Sequence, residues 1–220
     1  MLNIPRPQAV IFDMDGLLLD SERVALASFE EAATALGAPW TRELGLSLVG
    51  RSARDCDTII ARAFGEAFPL EPLRERFSEI YDAKVAAGSI PLKPWVRELL
   101  DWLEAARIPR AVATSTFRKR AEAKLARAHL LQRFDAMACG DEILRGKPAP
   151  DIYELAAQRV GAEPRDCLAL EDSNVGIRAA VSASMRAVMV PDLLQPDADI
   201  RRYGVPIVPS LKEVLIALQG

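Results

Sequence analysis

The chain has 220 residues, 50% hydrophobic and 27% charged, an ordinary globular composition that allows one or two domains with a real core. Its formal net charge of −3 offers no basic field for a nucleic-acid backbone or an anionic membrane, so the expected partner is a small molecule, with no nucleic acid and no membrane. No stretch approaches the ~18 apolar residues of a membrane span, and the scattered Cys56, Cys139 and Cys167 suit the reduced core thiols of a soluble, cytoplasmic protein.

Met1 to Gln8 carries two prolines and no apolar segment of the kind a leader needs. Ala9-Val10-Ile11-Phe12 is then a short apolar run bounded by a turn signal, the pattern of a strand buried on both faces of a parallel sheet. Asp13-Met14-Asp15-Gly16 follows directly. Ligands of α/β sheets bind beyond the carboxyl ends of strands, so these two carboxylates stand where chemistry is expected. The alternative is an acidic turn, with Asp bonding its own backbone and Gly supplying positive φ.

Ser21 to Leu36 places Phe29, Ala32, Ala33 and Leu36 at helical spacing, and Gly37 stops that helix. Cys56, Ile59, Ile60 and Ala63 repeat the pattern, and 69–87 predicts a third helix, opened by prolines and closed by Gly88. A helix with Val96, Leu99, Leu100 and Leu103 on one face leads into the strand Arg110-Ala111-Val112-Ala113, which ends at Thr114-Ser115-Thr116. A crossover between parallel strands needs about a dozen residues, whereas these two strand ends lie roughly 100 positions apart. The excess reads as an insertion. The expected organisation is a core of residues 1–20 and 90–220 with an all-helical cap domain of residues 21–89, hinged after Asp20 and again between Gly88 and Pro94.

Beyond it the alternation is regular: helix 117–129, strand 135–139, helix 150–160, strand 166–170, helix 173–184, strand 186–190, and a closing strand and helix after Val205. This pattern predicts an α/β fold with a doubly wound, Rossmann-like parallel sheet. His129, the only histidine, lies in a helical stretch and reads as a surface or packing residue.

Three polar clusters join the first aspartates at the strand ends or at the following helices. They are Thr114-Ser115-Thr116, Lys147 within Gly146-Lys147-Pro148-Ala149-Pro150-Asp151, and Glu171-Asp172 within Leu170-Glu171-Asp172-Ser173-Asn174-Val175-Gly176. Taken singly, Thr114 to Thr116 could be a helix cap, Lys147 a surface charge, and Ser173 a cap behind two solvated acids. Taken jointly, they contain what phosphoryl transfer requires. Asp13 can act as a carboxylate nucleophile and Asp15 as general acid and base. Thr114 offers a hydroxyl and Ser115 a backbone N–H to phosphate oxygens, and Lys147 can bridge the phosphate and Asp13. Asp13, Asp15, Glu171 and Asp172 would repel one another without a cation, and a hard divalent ion with oxygen ligands, Mg²⁺, resolves that repulsion.

With these residues in place the sequence resembles the haloacid dehalogenase superfamily, in the branch with a helical cap between its first two motifs. Phe12 to Ser21 matches the first motif, Thr114-Ser115 the second, Gly146 to Asp151 the third, and Leu170 to Ser173 with Gly176-Ile177 the fourth. The resemblance implies Asp13 as nucleophile, Asp15 as acid/base, and a metal held by the Asp13 carboxylate, the Asp15 carbonyl and Asp172, with Glu171 nearby. Two aspartates in the first motif argue against dehalogenase chemistry, whose members lack the second.

Residues 48–55 look like the cap loop that faces the site in sugar-phosphate members, which implies substrate contacts from Gly50, Arg51 and Arg54. Arg54 falls where β-phosphoglucomutases use an arginine on the second phosphate. The alternative for Arg51 and Arg54 is a solvated helix start. Ala25 stands where those mutases carry a histidine, and Arg74 to Tyr81 contains no lysine, both favouring water as the phosphoryl acceptor. Ser184 stands where many relatives have glycine, and if the helix ends there in αL the serine costs about 1 to 2 kcal/mol.

The leading expectation is a monomeric, Mg²⁺-dependent phosphatase acting on a small phosphomonoester, a sugar or nucleotide-like phosphate, through an aspartyl-phosphate. The alternatives are a phosphomutase of the β-phosphoglucomutase type, a non-catalytic phosphometabolite binder, and a phosphonatase, which would need Lys84 or Lys93 as a Schiff-base lysine.

Overall fold

Five parallel strands carry the fold: β1 (Ala9–Phe12), β2 (Arg110–Thr114), β3 (Ala136–Cys139), β4 (Cys167–Glu171) and β5 (Arg186–Met189), in the order β3-β2-β1-β4-β5. The computed structural model describes residues 3–49, 53–65, 68–88 and 90–220. β1 is central. It pairs with β2 on one side and β4 on the other, so the chain reverses its direction of travel across the sheet beside β1. That reversal opens the crevice where an α/β fold binds its ligands.

The continuous apolar strands follow from burial on both faces. Val10, Phe12, Val112, Met137, Leu168, Leu170 and Val188 face one cluster, packed with α5 (Val96–Ala105), α6 (Arg118–Arg127) and α10 (Leu211–Gln219). Ala9, Ile11, Ala111, Ala113, Ala138, Ala169 and Ala187 face the other, packed with α7 (Asp151–Arg159) and α8 (Asn174–Ser182). The period of two thus sorts bulky residues to one face and mostly alanines to the other. Small strand residues, met by Ala156, Ala157, Ala179 and Ala180, let α7 and α8 lie close to the sheet, where Tyr153 fills the remaining space.

Between β1 and β2 the chain forms α1 (Ser21–Ala35), α2 (Arg42–Leu48), α3 (Ala53–Phe64) and α4 (Leu70–Ala86). These helices bury an apolar cluster of their own, built on Ala32, Ala33, Leu48, Ile60, Leu73 and Ile80. The two connections to the sheet run side by side. Leu19 and Leu92 form an antiparallel bridge, Asp20 N–H donates to the Pro91 carbonyl at 2.9 Å, and Lys93 N–H donates to the Leu18 carbonyl at 3.0 Å.

Two helices escape the sequence pattern, and one expected strand is absent. α2 is only seven residues with a central glycine. Thr41 caps it by accepting from Leu44 N–H, and Gly45 is needed there because any side chain would meet the Trp40 ring. α9 (Ala198–Arg202) is a five-residue helix nucleated by Asp197, whose carboxylate accepts from Asp199 and Ile200 N–H. After Val205 no sixth strand forms, contrary to expectation. Ile207 makes an isolated bridge to Met189, because Pro206 and Pro209 flank it and cannot donate to a longer ladder.

α5, α6 and α8 end alike. Arg107, His129 and Ser184 adopt φ of 54°, 57° and 63°, and each next residue sends its N–H back to a carbonyl five positions earlier. This is the Schellman arrangement, filled by non-glycine residues. His129 is therefore an exposed helix terminator. For Ser184 the αL penalty exceeds the entropy that glycine adds to the unfolded chain, so Ser184→Gly should stabilise the protein by about 0.5–1 kcal/mol. A thermal melt should show Tm raised by roughly 1–4 °C.

Candidate active site

β1 ends at the centre of the sheet, and its successor Asp13 is held there by donating its N–H to the Leu170 carbonyl of β4 at 3.0 Å. Lys147 reaches the same point from the loop before α7. Its buried Nζ lies 2.5 Å from Asp13 Oδ1 and 2.5 Å from Glu171 Oε1. Glu171, fully buried at the end of β4, also accepts from the Tyr153 hydroxyl at 3.0 Å and from Ser173 N–H and Oγ at 2.9 Å each. Both of its oxygens are occupied. It anchors Lys147 beside Asp13.

Two glycines make this packing possible. A side chain on Gly176 would run into the Glu171 carboxylate, and one on Gly16 would run into that of Asp172. Gly16 also has φ of 90°, where only glycine is at ease. Gly16, directly after the two aspartates of the first motif, thus lets the chain pass against the Asp172 carboxylate.

Asp15 points to a different set of partners. Its Oδ1 accepts from Ser21 Oγ at 2.6 Å and Lys124 Nζ at 2.7 Å, and its Oδ2 accepts from Thr116 Oγ1 at 2.7 Å. Thr114 is buried at the end of β2, where its Oγ1 accepts Thr116 N–H at 3.0 Å, and Ser115 is exposed beside it. The Ser115 carbonyl packs so closely on Gly140 that a side chain there would displace it. Gly50 and Arg51 lie outside the described residues, and Arg54 is placed only as a backbone position in the first turn of α3.

Lys124, Tyr153, Ser21 and Thr116 were not assigned roles from sequence. Lys124 and Tyr153 each interrupt a buried helical stripe, between Ala121 and Leu125 and beside Ile152 and Ala156 respectively. A lysine on a core-facing stripe is the signal that could have pointed to a buried carboxylate partner.

The electrostatics divide the carboxylates. Burial raises Asp13 to about 8, with Glu171 and Asp15 adding repulsion that the Lys147 charge only partly offsets. Burial, then repulsion from Glu171, Asp13 and Glu22, pushes Asp172 well above the usual carboxylate range. Burial beside Asp15 raises Glu22 to about 7. Asp15 alone goes down, because the Lys124 charge and its three hydrogen bonds outweigh the cost of burial. The site therefore gathers more carboxyl groups than its two lysines can hold ionised, in the hard oxygens that suit Mg²⁺. Among the described residues no three His, Cys, Asp or Glu side chains gather into a complete cage. The donor set fits an ion that takes a carboxylate or two and fills the rest with carbonyl, water and substrate oxygens, as Mg²⁺ does.

Residues 7–184 match the haloacid dehalogenase-like hydrolases. The chain belongs to that family. A "Phosphorylated carbohydrates phosphatase" of Thermotoga maritima is 35% identical over 181 residues, covering 82% of this chain and 83% of the relative. "Fructose-1-phosphate phosphatase YqaB" of Escherichia coli is 33% identical, covering 84% of this chain and 97% of the relative. The crystal structure of CbbY from Rhodobacter sphaeroides in complex with phosphate superposes with a TM-score of 0.77 at 29% identity, covering 97% of this chain and all of that one.

The raised carboxyls have a consequence for stability without metal. In the unfolded chain they ionise near pH 4, so between about pH 4 and pH 8 the folded protein holds protons that the unfolded chain has released. Stability therefore falls as pH rises through that window. With a chelator present, calorimetry should give a lower Tm at pH 8 than at pH 5.5, and added Mg²⁺ should raise Tm more at pH 8.

Proposed function

We propose that this phosphatase of the haloacid dehalogenase-like family hydrolyses a small sugar phosphate by way of an aspartyl-phosphate on Asp13. The observation that carries the reading is the Lys147 ammonium held 2.5 Å from both Asp13 and Glu171, with a second, separately bound aspartate two residues away. The relatives named for phosphorylated carbohydrates and for fructose 1-phosphate support a sugar phosphate.

In this reading an Asp13 carboxylate oxygen attacks phosphorus while the bond to the leaving oxygen breaks. Lys147 balances charge on the phosphoryl oxygens, and the Thr114 hydroxyl and Ser115 N–H orient them. Asp15 acts as general acid to the leaving oxygen and as general base to the water that hydrolyses the acyl phosphate, the second role being the one its ionised, donor-ringed carboxylate already suits. The Asp13 carboxylate, the Asp15 carbonyl and Asp172 would hold Mg²⁺, which would supply charge neutralisation. Glu171 holds Lys147 in place.

Residues 21–89 serve as a cap domain over the core of residues 1–20 and 90–220, a division supported by their separate apolar cluster and by the paired connections at Leu19 and Leu92. Gly50, Arg51 and Arg54 are the proposed cap contacts to the sugar. Water is the acceptor, since Ala25 offers no group to transfer a proton to or from a sugar hydroxyl. A Schiff-base lysine is not supported, because Lys84 pairs with Glu31 and Lys93 with Asp192.

A panel of phosphorylated metabolites scored for phosphate release with Mg²⁺ should give its highest kcat/KM on a sugar monophosphate. Asp13→Asn should reduce that value by at least about 1,000-fold, and Lys147→Ala by about 100- to 1,000-fold. Excess EDTA should abolish release and Mg²⁺ restore it. Undiminished activity in Asp13→Asn would sink the mechanism, and activity confined to non-sugar esters would sink the substrate class.

A further inference from the structure

Phe117 and Leu144 are the most exposed large apolar side chains among the described residues, Phe117 at 66% and Leu144 fully. Both stand on the rim of the candidate site. Leu144 lies three residues before Lys147, and Phe117 follows Thr116, whose Oγ1 donates to Asp15 at 2.7 Å. Arg118 joins the two loops, its N–H donating to Asp141 at 2.9 Å and its guanidinium to Glu142 at 2.7 Å. One exposed apolar side chain on a surface is ordinary, but two on the rim of a cleft of buried charge have the composition of a ligand-pocket wall.

Phe117 is also in line with the site. It opens α6, its carbonyl accepting Ala121 N–H at 2.9 Å. Positions 117, 121, 124 and 125 have the spacing of one helix face, and Ala121, Lys124 and Leu125 form the buried face of α6. Helical side chains lean toward the N-terminus, so Lys124 reaches back along this face to Asp15, and Phe117 stands two turns, roughly 10 Å, further along it. Arg120, one turn into α6, pairs with Asp82 of α4 at 3.0 Å, which brings the inserted helices against the same end of α6. Phe117 therefore stands at the seam between those helices and the core, beyond the carboxylates, where the part of the substrate remote from phosphorus must lie.

We propose that Phe117 is a specificity-determining residue that lays its ring against the C–H face of a cyclic sugar, so that the enzyme prefers closed-ring sugar phosphates to their open-chain counterparts. The proposal rests on the phosphatase reading above and narrows its substrate class. A closed sugar ring carries a flat patch of C–H groups that an aromatic ring can cover, removing both from water. An open chain presents hydroxyls on every side and loses more rotational freedom when it is pressed flat. The phosphate beside Asp13 and Lys147 fixes one end of the substrate, and a flat apolar wall fixes the plane of the other. Phe117 supplies neither charge nor proton; it selects by shape.

The test compares pairs of esters that differ in ring closure and little else: glucose 6-phosphate with glucitol 6-phosphate, and ribose 5-phosphate with ribitol 5-phosphate. Full-length wild type, Phe117→Ser, Phe117→Trp and Ile216→Ser are assayed for phosphate release in saturating Mg²⁺, with kcat/KM as the readout. Wild type should favour the ring member of at least one pair by about 10-fold or more. Phe117→Ser should lower kcat/KM on that ring ester by about 10-fold and on its open-chain partner by less than about 3-fold, cancelling the preference. Phe117→Trp should keep the preference, and Ile216→Ser, which removes an exposed apolar side chain from α10, should leave both rates unchanged. Because Phe117 is exposed, the Tm of Phe117→Ser should stay within about 2 °C of wild type. An equal loss on ring and open-chain esters, no loss on either, or a wild type without ring preference overturns the role of Phe117 and leaves the phosphatase reading intact. So does a wild-type dimer in analytical ultracentrifugation that Phe117→Ser converts to monomer, which would give the ring to a second copy. A wild type that releases phosphate from no ester overturns both.

Discussion

A buried ammonium between two buried carboxylates governs the centre of this molecule. Removing one partner of such a set leaves an uncompensated charge out of water at a cost of about 3–5 kcal/mol, so the elements that carry Lys147, Asp13 and Glu171 are bound to a common geometry. The strand order meets that demand by placing β4 beside β1. Glu171 needs further donors to remain buried, and Tyr153 and the Ser173 turn supply them. Tyr153 can reach because α7 lies on the alanine-lined face of the sheet. Gly176 follows from the same requirement, since the start of α8 must pass directly over the carboxylate.

The connections to the inserted helices are tied to this centre by charge as well as by backbone pairing. Asp192, just beyond β5, accepts from Arg23 at 2.7 Å and from Lys93 at 2.6 Å on the same oxygen. Arg23 follows the outgoing connection and Lys93 lies in the returning one, so one buried carboxylate of the core fixes both. Arg23 reaches back to Asp20 as well. Because Ser21 is bonded to Asp15, the start of α1 is linked to the core at two points a residue or two apart, one to Asp15 and one to Asp192.

The sheet was legible because its strands are buried on both faces and read as unbroken apolar runs. The first, second and fourth motifs were legible because each follows a strand that neighbours or forms the centre. Three kinds of feature escaped. α2 and α9 rest on a cap and a ring contact rather than on periodicity, and the closing strand failed because two prolines limited pairing to Ile207. The partners of Asp15 were hidden because their positions depend on helix rotation. Lys124 on a stripe with Ala121 and Leu125 reads as an error of amphipathicity until its acceptor is known. Glu171 could not be distinguished from Asp172 by sequence, since only the fold shows that one is saturated with donors and the other lies against Gly16.

That distinction sets the charge balance on which the chemistry turns. Asp13, Asp15, Glu171 and Asp172 present four carboxylates against the two ammonium groups of Lys147 and Lys124. A phosphate monoester would add about two further negative charges at neutral pH. Glu171 and Asp15 are already compensated by direct donors, so the surplus falls on Asp13 and Asp172, the two groups that burial and mutual repulsion drive toward protonation. A protonated Asp13 is a poor nucleophile. A cation that lowered its pKa would therefore also be the one that let the phosphate approach.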